Sequence, residues 1–209
     1  MKLIKPNKNK DSRLCARIMK SVCARGRGAA FTWKDFAAFG KPDAIRQALA
    51  RLVKRGKLRR VARGIYDWPQ TVASLGIVAA PSVGAVVDAV ARHDGARIVP
   101  DGAQAANRLG LSTQVPAREL FLSSGRAHRI ALGKQVIQVR HAPPRLLAGR
   151  GGAALVVSAL KHLGARDVDA ADIARLQQLL APRDKAALRQ AAPRTYRWMR
   201  PIIEQIAAN

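Results

Sequence analysis

The stretch from Pro42 to Trp68 leaves a chain like this the least conformational freedom. Ile45, Ala48, Leu49, Leu52 and Val53 recur on one face of a helix over Pro42 to Arg55. Asp43, Gln47, Ala50, Arg51 and Lys54 point the other way, with Arg46 and Arg55 on the flanks. Proline suits the first turn of such a helix, and Gly56 ends it. Two short β-prone runs follow, Leu58–Val61 and Ile65–Trp68, around Ala62-Arg63-Gly64. That pattern predicts a hairpin, closed by Pro69. Upstream, Leu14, Cys15, Ile18, Met19 and Val22 predict a helix from Ser12 to about Ala24. Thr32 is the expected N-cap of a short helix over Trp33 to Phe39, which Gly40 stops.

Helix, short helix, basic helix and hairpin is the order of a winged helix-turn-helix. In that fold the second helix of the turn pair enters the DNA major groove, and the wing lies along the backbone or minor groove. Charge points the same way. The 209 residues carry 38 Lys plus Arg against 13 Asp plus Glu, a formal net charge of +25. Residues 1–68 alone hold 19 of those cations and 4 acids, a net of +15. An Arg/Ala-rich composition explains part of the arginine count but not its concentration in one segment. A chain this basic repels itself unless a polyanion neutralises it; nucleic acid is the expected partner, ahead of an anionic membrane surface. Lys41 to Gln47 would reach base edges, with Gln47 matched to adenine and Arg46 or Arg51 to guanine. Lys34, Lys54, Arg55, Lys57, Arg59, Arg60 and Arg63 are cast as phosphate neutralisers.

The remainder reads as a mixed α/β domain. Residues 1–11 are expected to be a flexible basic arm, residues 12–69 the winged helix-turn-helix and residues 82–209 an α+β domain with a helical tail. Residues 70–80 look like an irregular connector. A helix is expected over Ser82–His93, a strand over Ala96–Val99 and a short helix over Gly102–Leu109. Strands follow over Glu119–Leu122, Arg129–Leu132 and Gln135–Arg140, the last two joined by a Gly133-Lys134 turn. Helices are expected over Ala153–Leu163, Asp169–Leu180, Pro182–Gln190 and Thr195–Ala208. The fold class is therefore α+β, with an N-terminal winged helix-turn-helix, a small sheet and C-terminal helices.

Several activities find little support. No apolar run approaches the ~18 residues that cross a bilayer, and no secretory signal opens the chain. Cys15 and Cys23 read as small apolar positions on the first helix, so a reducing, cytoplasmic setting is expected. Asp167, Asp169 and Asp172 gather at a predicted helix start, where acids complement the helix dipole; a metal cluster is the competing reading. Gly149-Arg150-Gly151-Gly152 lacks the ending of a phosphate loop and reads as a hinge. His93, His128, His141 and His162 lack ligand spacing, and Ser123-Ser124-Gly125 reads as a turn. Arg194, Tyr196, Arg197, Trp198 and Arg200 offer either a stacking surface for nucleic acid or a docked helix that buries Trp198, Ile202, Ile203 and Ile206. The expectation is no enzyme, no metal and no cofactor, and a monomer or weak dimer.

The stretch Ala48 to Tyr66, with Leu52-Val53-Lys54-Arg55-Gly56-Lys57-Leu58-Arg59-Arg60 at its centre, resembles the N-terminal domain of the AbiEi family. That family comprises antitoxins of type IV, abortive-infection toxin–antitoxin systems. Ala96 to Gly102, Leu109 to Pro116 and Arg140-His141-Ala142 resemble its second domain, and the likeness spans roughly residues 12–165. The resemblance implies a winged helix that represses its own operon at inverted repeats in double-stranded DNA. It also implies a C-terminal domain that opposes a nucleotidyltransferase-like toxin. The chain has no Gly-Ser followed by paired aspartates, so it is not expected to be that toxin. A nucleic-acid-binding regulator or architectural protein with no toxin partner remains the alternative reading.

Overall fold

The computed structural model describes residues 8–72, 76–133 and 135–208. The chain is mixed α and β, with three small sheets and several helices among the described residues. It divides into two compact units. Among the described residues, the first is built from those up to Ala96 together with those of 131–135, and the second from Arg97–Ile130 and those from Val136 onward.

In the first unit, helix α1 (Lys8–Arg25) begins a full turn before Ser12. The tail end of the expected flexible arm is thus helical, because a helix held by a buried face extends at little cost through residues such as Lys, Asn and Asp. Residues 1–7 lie outside the described residues. Strand β1 (Ala30–Phe31) leads into a 3₁₀ helix over Trp33–Phe39, and helix α2 spans Pro42–Lys54. The α2 helix ends as its glycine predicts. Gly56 sits at φ +66°, and Gly56 and Lys57 donate their N–H groups back to Val53 and Leu52. Ile18, Val22, Phe31, Phe36, Ile45, Ala48, Leu49, Leu52, Leu58 and Tyr66 form a core between α1, α2 and the sheet.

Strands β2 (Arg59–Ala62) and β3 (Ile65–Asp67) form the expected hairpin, with Gly64 at φ +77° in its turn. The register slips between Arg60 and Ala62, the mark of a bulge that bends the ribbon. Strand β1 adds to the other edge of β3, so the sheet runs β1-β3-β2 and β3 is buried throughout. The segment read as a connector instead carries a second antiparallel pair, β4 (Gln70–Val72) and β5 (Ile77–Ala79); Ala73, Ser74 and Leu75 between them lie outside the described residues. Helix α3 (Val83–Asp94) completes the unit, and Ser82 Oγ caps it by accepting from Ala85 N–H at 3.1 Å.

One carboxylate joins these pieces. Asp35 in the 3₁₀ helix is almost fully buried and accepts from Arg25 at the end of α1 (2.8 Å), Arg92 on α3 (2.7 Å) and the Thr32 N–H (2.7 Å). Burial by itself raises the Asp35 pKa. The hydrogen bonds from Arg25, Thr32 and Arg92, with the charge of Arg92, outweigh it and hold the carboxyl below the ordinary 3.8.

The second unit holds the remaining helices and a four-stranded sheet, apart from the Ala131–Leu132 and Gln135 ends of two of its strands. Its strands are β6 (Ile98–Pro100), β7 (Glu119–Ser123), β8 (His128–Leu132) and β9 (Gln135–His141), in the order β6-β7-β9-β8. β6 pairs antiparallel and β9 parallel with β7. Lys134, in the expected two-residue turn, lies outside the described residues. Helix α4 (Gly102–Arg108) lies between β6 and β7, and α5 (Gly152–Leu163), α6 (Ala170–Leu179), α7 (Pro182–Ala191) and α8 (Met199–Ala207) follow β9. The apolar sequence of α5 puts it at the centre, where Val156, Val157 and Leu160 meet Leu109, Leu176, Leu188, Met199, Ile203 and Ile206. Its buried Ser158 hydroxyl is satisfied by the Pro100 carbonyl at 2.9 Å. The C-terminal aromatic and basic segment docks as an amphipathic helix. Ile203 and Ile206 are buried, and Trp198 and Ile202 pack against the same core. The helix expected over Thr195–Ala208 begins only at Met199; ahead of it Ala192–Arg194 form a 3₁₀ turn, because Pro193 cannot continue α7.

The glycine-rich stretch before α5 is closely packed rather than a hinge. Asp184 accepts from Gly152 N–H at 3.0 Å, and a Cβ on Gly152 would lie 3.0 Å from both Leu180 Cδ2 and Asp184 Cγ. Asp169 and Asp172 form a reciprocal cap on α6, with Asp172 N–H donating to Asp169 at 2.8 Å.

Two outcomes follow from this packing. A Cβ at Gly102 would fall 2.4 Å from His162 Cβ and 2.8 Å from the Ser158 carbonyl. Gly102→Ala should therefore destabilise the second unit by about 1–3 kcal/mol in urea unfolding, despite alanine's better helix propensity. Asp35 carries a folded pKa below its unfolded one, so its contribution is complete above about pH 4 and drains away as pH falls through the folded value. Asp35→Asn should lower stability at pH 7 and flatten the loss of stability on acidification, measured by thermal melting across pH.

Candidate nucleic-acid interface

Helix α2 positions most of the candidate residues. Its buried side is filled by Ile45, Ala48, Leu49 and Leu52, and the Cys15 thiol of α1 approaches the Ala48 carbonyl at 3.8 Å. Burying that stripe forces Arg46, Gln47, Ala50 and Lys54 outward, by helical geometry alone. Lys41 and Pro42, at the N-terminal end, are exposed as well.

The side chains along this face constrain one another. Arg46 donates to Asp43 at 2.9 Å, and its guanidinium lies over the Trp33 ring at 4.8 Å. Trp33 in turn meets His93 edge to face, and Lys34 donates to the His93 carbonyl. Arg51 donates to Gln47 Oε1 at 3.3 Å and is only half-exposed. Lys54, Arg55 and Lys57 cluster at the exposed C-terminal end of α2 and its turn. On the hairpin, Arg60 and Arg63 face solvent.

Arg59 stands apart from the other phosphate-neutralising candidates. Its Nε and Nη2 both bond to the carboxylate of Asp67, which is fully buried, and Nη2 also donates to the Ala79 carbonyl at 2.7 Å. This fork ties β2, β3 and β5 together, so the half-buried Arg59 guanidinium already has partners within the protein. Sequence reading did not find the supports around the face: Asp35 with Arg25 and Arg92, Trp33 beneath Arg46, and Arg27, which stacks on Trp68 at 4.5 Å and donates to the Pro69 carbonyl. Aromatic residues that far in sequence from the basic ones they meet carry no signal for stacking until the chain is folded.

The resulting surface combines an amide, guanidinium and ammonium groups on one helix face and its turn, with two more arginines on a hairpin. Such groups can make bidentate hydrogen bonds and displace condensed counterions from a polyanion. Among the described residues no group of three or more His, Cys, Asp or Glu side chains is placed to hold a metal ion. Nor is any described helix long and apolar enough to cross a membrane.

No curated protein matches the chain, and no solved structure does. Residues 17–188 match a family described as a family of unknown function (DUF6088), a span that takes in the candidate surface and most of the second unit. The chain therefore belongs to DUF6088.

Proposed function

We propose that the first unit is a winged helix-turn-helix that binds double-stranded DNA, and that the chain is a transcriptional autorepressor serving as the antitoxin of a type IV toxin–antitoxin system. The observation that carries the DNA-binding part is the division of α2 into a buried apolar stripe and an exposed face bearing Lys41, Arg46, Gln47 and Lys54. In this reading the 3₁₀ helix and α2 are the turn pair, and α2 presents its N-terminal residues to base edges. The β2–β3 hairpin is the wing, with Arg60 and Arg63 on the phosphates. The antitoxin part rests on the likeness of Ala48–Tyr66 and of the segments around Pro100, Leu111 and His141 to the AbiEi family. It implies a nucleotidyltransferase-like toxin as the antagonist.

The bidentate Asp67 partnership removes Arg59 from the proposed phosphate contacts and makes it a buttress of the wing.

Gel shifts on the DNA upstream of the gene test the DNA reading. The intact protein should prefer that DNA to a scrambled duplex at physiological salt, and equal affinity for both would favour an architectural role instead. Gln47→Ala should cost about 1–3 kcal/mol on the specific site alone. Arg60→Ala should weaken all duplexes similarly and reduce the salt slope by about one. Arg59→Met is expected to leave the salt slope unchanged and to lower stability by about 1–3 kcal/mol, because it strands the buried Asp67 carboxylate. The antitoxin part is checked by growth: co-expression should rescue cells from a nucleotidyltransferase-like toxin encoded beside the gene, and failure of that rescue would sink this part.

A further inference from the structure

A groove of about 870 Å³ runs along the first unit, outside the exposed face of α2. Its floor is apolar, formed by Cys15 and Met19 of α1, Leu52 of α2, and Trp68. One wall is Val78 of β5, which is 53% exposed beside Ile77 at 55%. Large apolar side chains held out on a short strand next to an apolar trough mark a surface that gains by being covered. Met19 adds an adaptable side chain of the kind that accommodates a partner's apolar anchors.

The rim says what covers it. Arg27, Arg55 and Lys57 border the groove, and no carboxylate lines it among the described residues. Arg27 is pre-organised by Trp68 and the Pro69 carbonyl, while Arg55 and Lys57 are exposed. A second copy of this chain is a poor occupant, because it would bring like charge against that rim. The apolar floor is equally unsuited to a phosphate backbone, which gains nothing from Leu52 or Met19. The occupant that matches floor and rim together is an amphipathic protein segment with an apolar face and flanking carboxylates.

We propose that this groove is a docking site for an acidic amphipathic helix of a partner protein. Leucine-like side chains of the helix would enter over Met19, Leu52 and Trp68, and its Glu or Asp residues would meet Arg55 and Lys57. The mode is helix-in-groove recognition, in which apolar anchors supply affinity and the charged rim sets specificity and orientation. None of Lys41, Arg46, Gln47 or Arg51 lines the groove. Arg55 and Lys57 on its rim are also candidate phosphate contacts, so a duplex and the peptide would share those two cations, while the apolar floor serves the peptide alone.

The test uses the full-length chain and a fluorescein-labelled peptide of Leu, Ala and Glu with its leucines at helical spacing. A scrambled peptide of the same composition and charge is the control. Fluorescence anisotropy should show saturable binding of the amphipathic peptide, about tenfold or more tighter than the scramble. Lys57→Glu and, separately, Val78→Ser should each weaken it about fivefold or more, with thermal melts unchanged, since both positions are exposed. Equal binding of peptide and scramble would reduce the effect to net charge and overturn the proposal. So would indifference of binding to Val78→Ser. If Val78→Ser instead weakens binding of a duplex DNA as strongly as it weakens the peptide, the groove is a nucleic-acid surface and the proposal fails. Intact peptide binding alongside absent DNA preference would leave the groove standing and the DNA reading fallen.

Discussion

The first unit hangs on one buried carboxylate. Asp35 accepts at once from the end of α1, from α3 and from the N-terminus of its own 3₁₀ helix. An isolated carboxylate in that position would be strongly disfavoured, so the two arginines and the Thr32 N–H are conditions for burying it. Arg92 also donates to the Ala30 carbonyl of β1, so the same cluster anchors the edge of the sheet. Through the 3₁₀ helix it sets the position of Trp33, and through Trp33 the resting place of Arg46 at the start of α2. The resting place of Arg46 is therefore linked, through Trp33, to the polar cluster around Asp35.

Charge is divided within the unit as well as between units. Arg25, Arg92 and Arg59 are tied to buried aspartates by charge-assisted hydrogen bonds, although their own side chains remain partly exposed. Lys41, Lys54, Arg55, Lys57, Arg60 and Arg63 stay at the surface, where a polyanion or an acidic protein can reach them. The Arg46–Asp43 contact belongs with the second group. Both side chains are well exposed, so the pair is worth little and yields readily to a better partner. The number of arginines in the sequence thus overstates the surface available for binding, and only the fold tells the two kinds apart.

Much of the secondary structure was legible. α2, both strands of the β2–β3 hairpin, α3 and the helices of the second unit fall close to where periodicity and capping residues put them, because those signals are local. The exceptions have physical causes. β1 is a two-residue strand that exists only because β3 offers it an edge. The β4–β5 pair lacks alternation, since Ile77 and Val78 are both exposed, and so it looked like a connector. The stretch around Gly151 looked flexible because its glycines suggest mobility, whereas they are there to let α5 approach Asp184 and Leu180.

By itself the sequence determined which helix would carry a basic outer face. The apolar spacing from Ile45 to Leu52 admits one buried side, and every residue between is then assigned to the other. It also determined that the chain would present far more positive than negative charge. The tertiary structure alone decided which cations are tied to buried carboxylates, since Asp35 and Asp67 recruit arginines from other elements, and a buried carboxylate takes whichever donors the fold brings within hydrogen-bond reach. The groove over Met19 and Leu52 was also decided there, because it is bounded by pieces of chain far apart in sequence and has no periodicity to announce it.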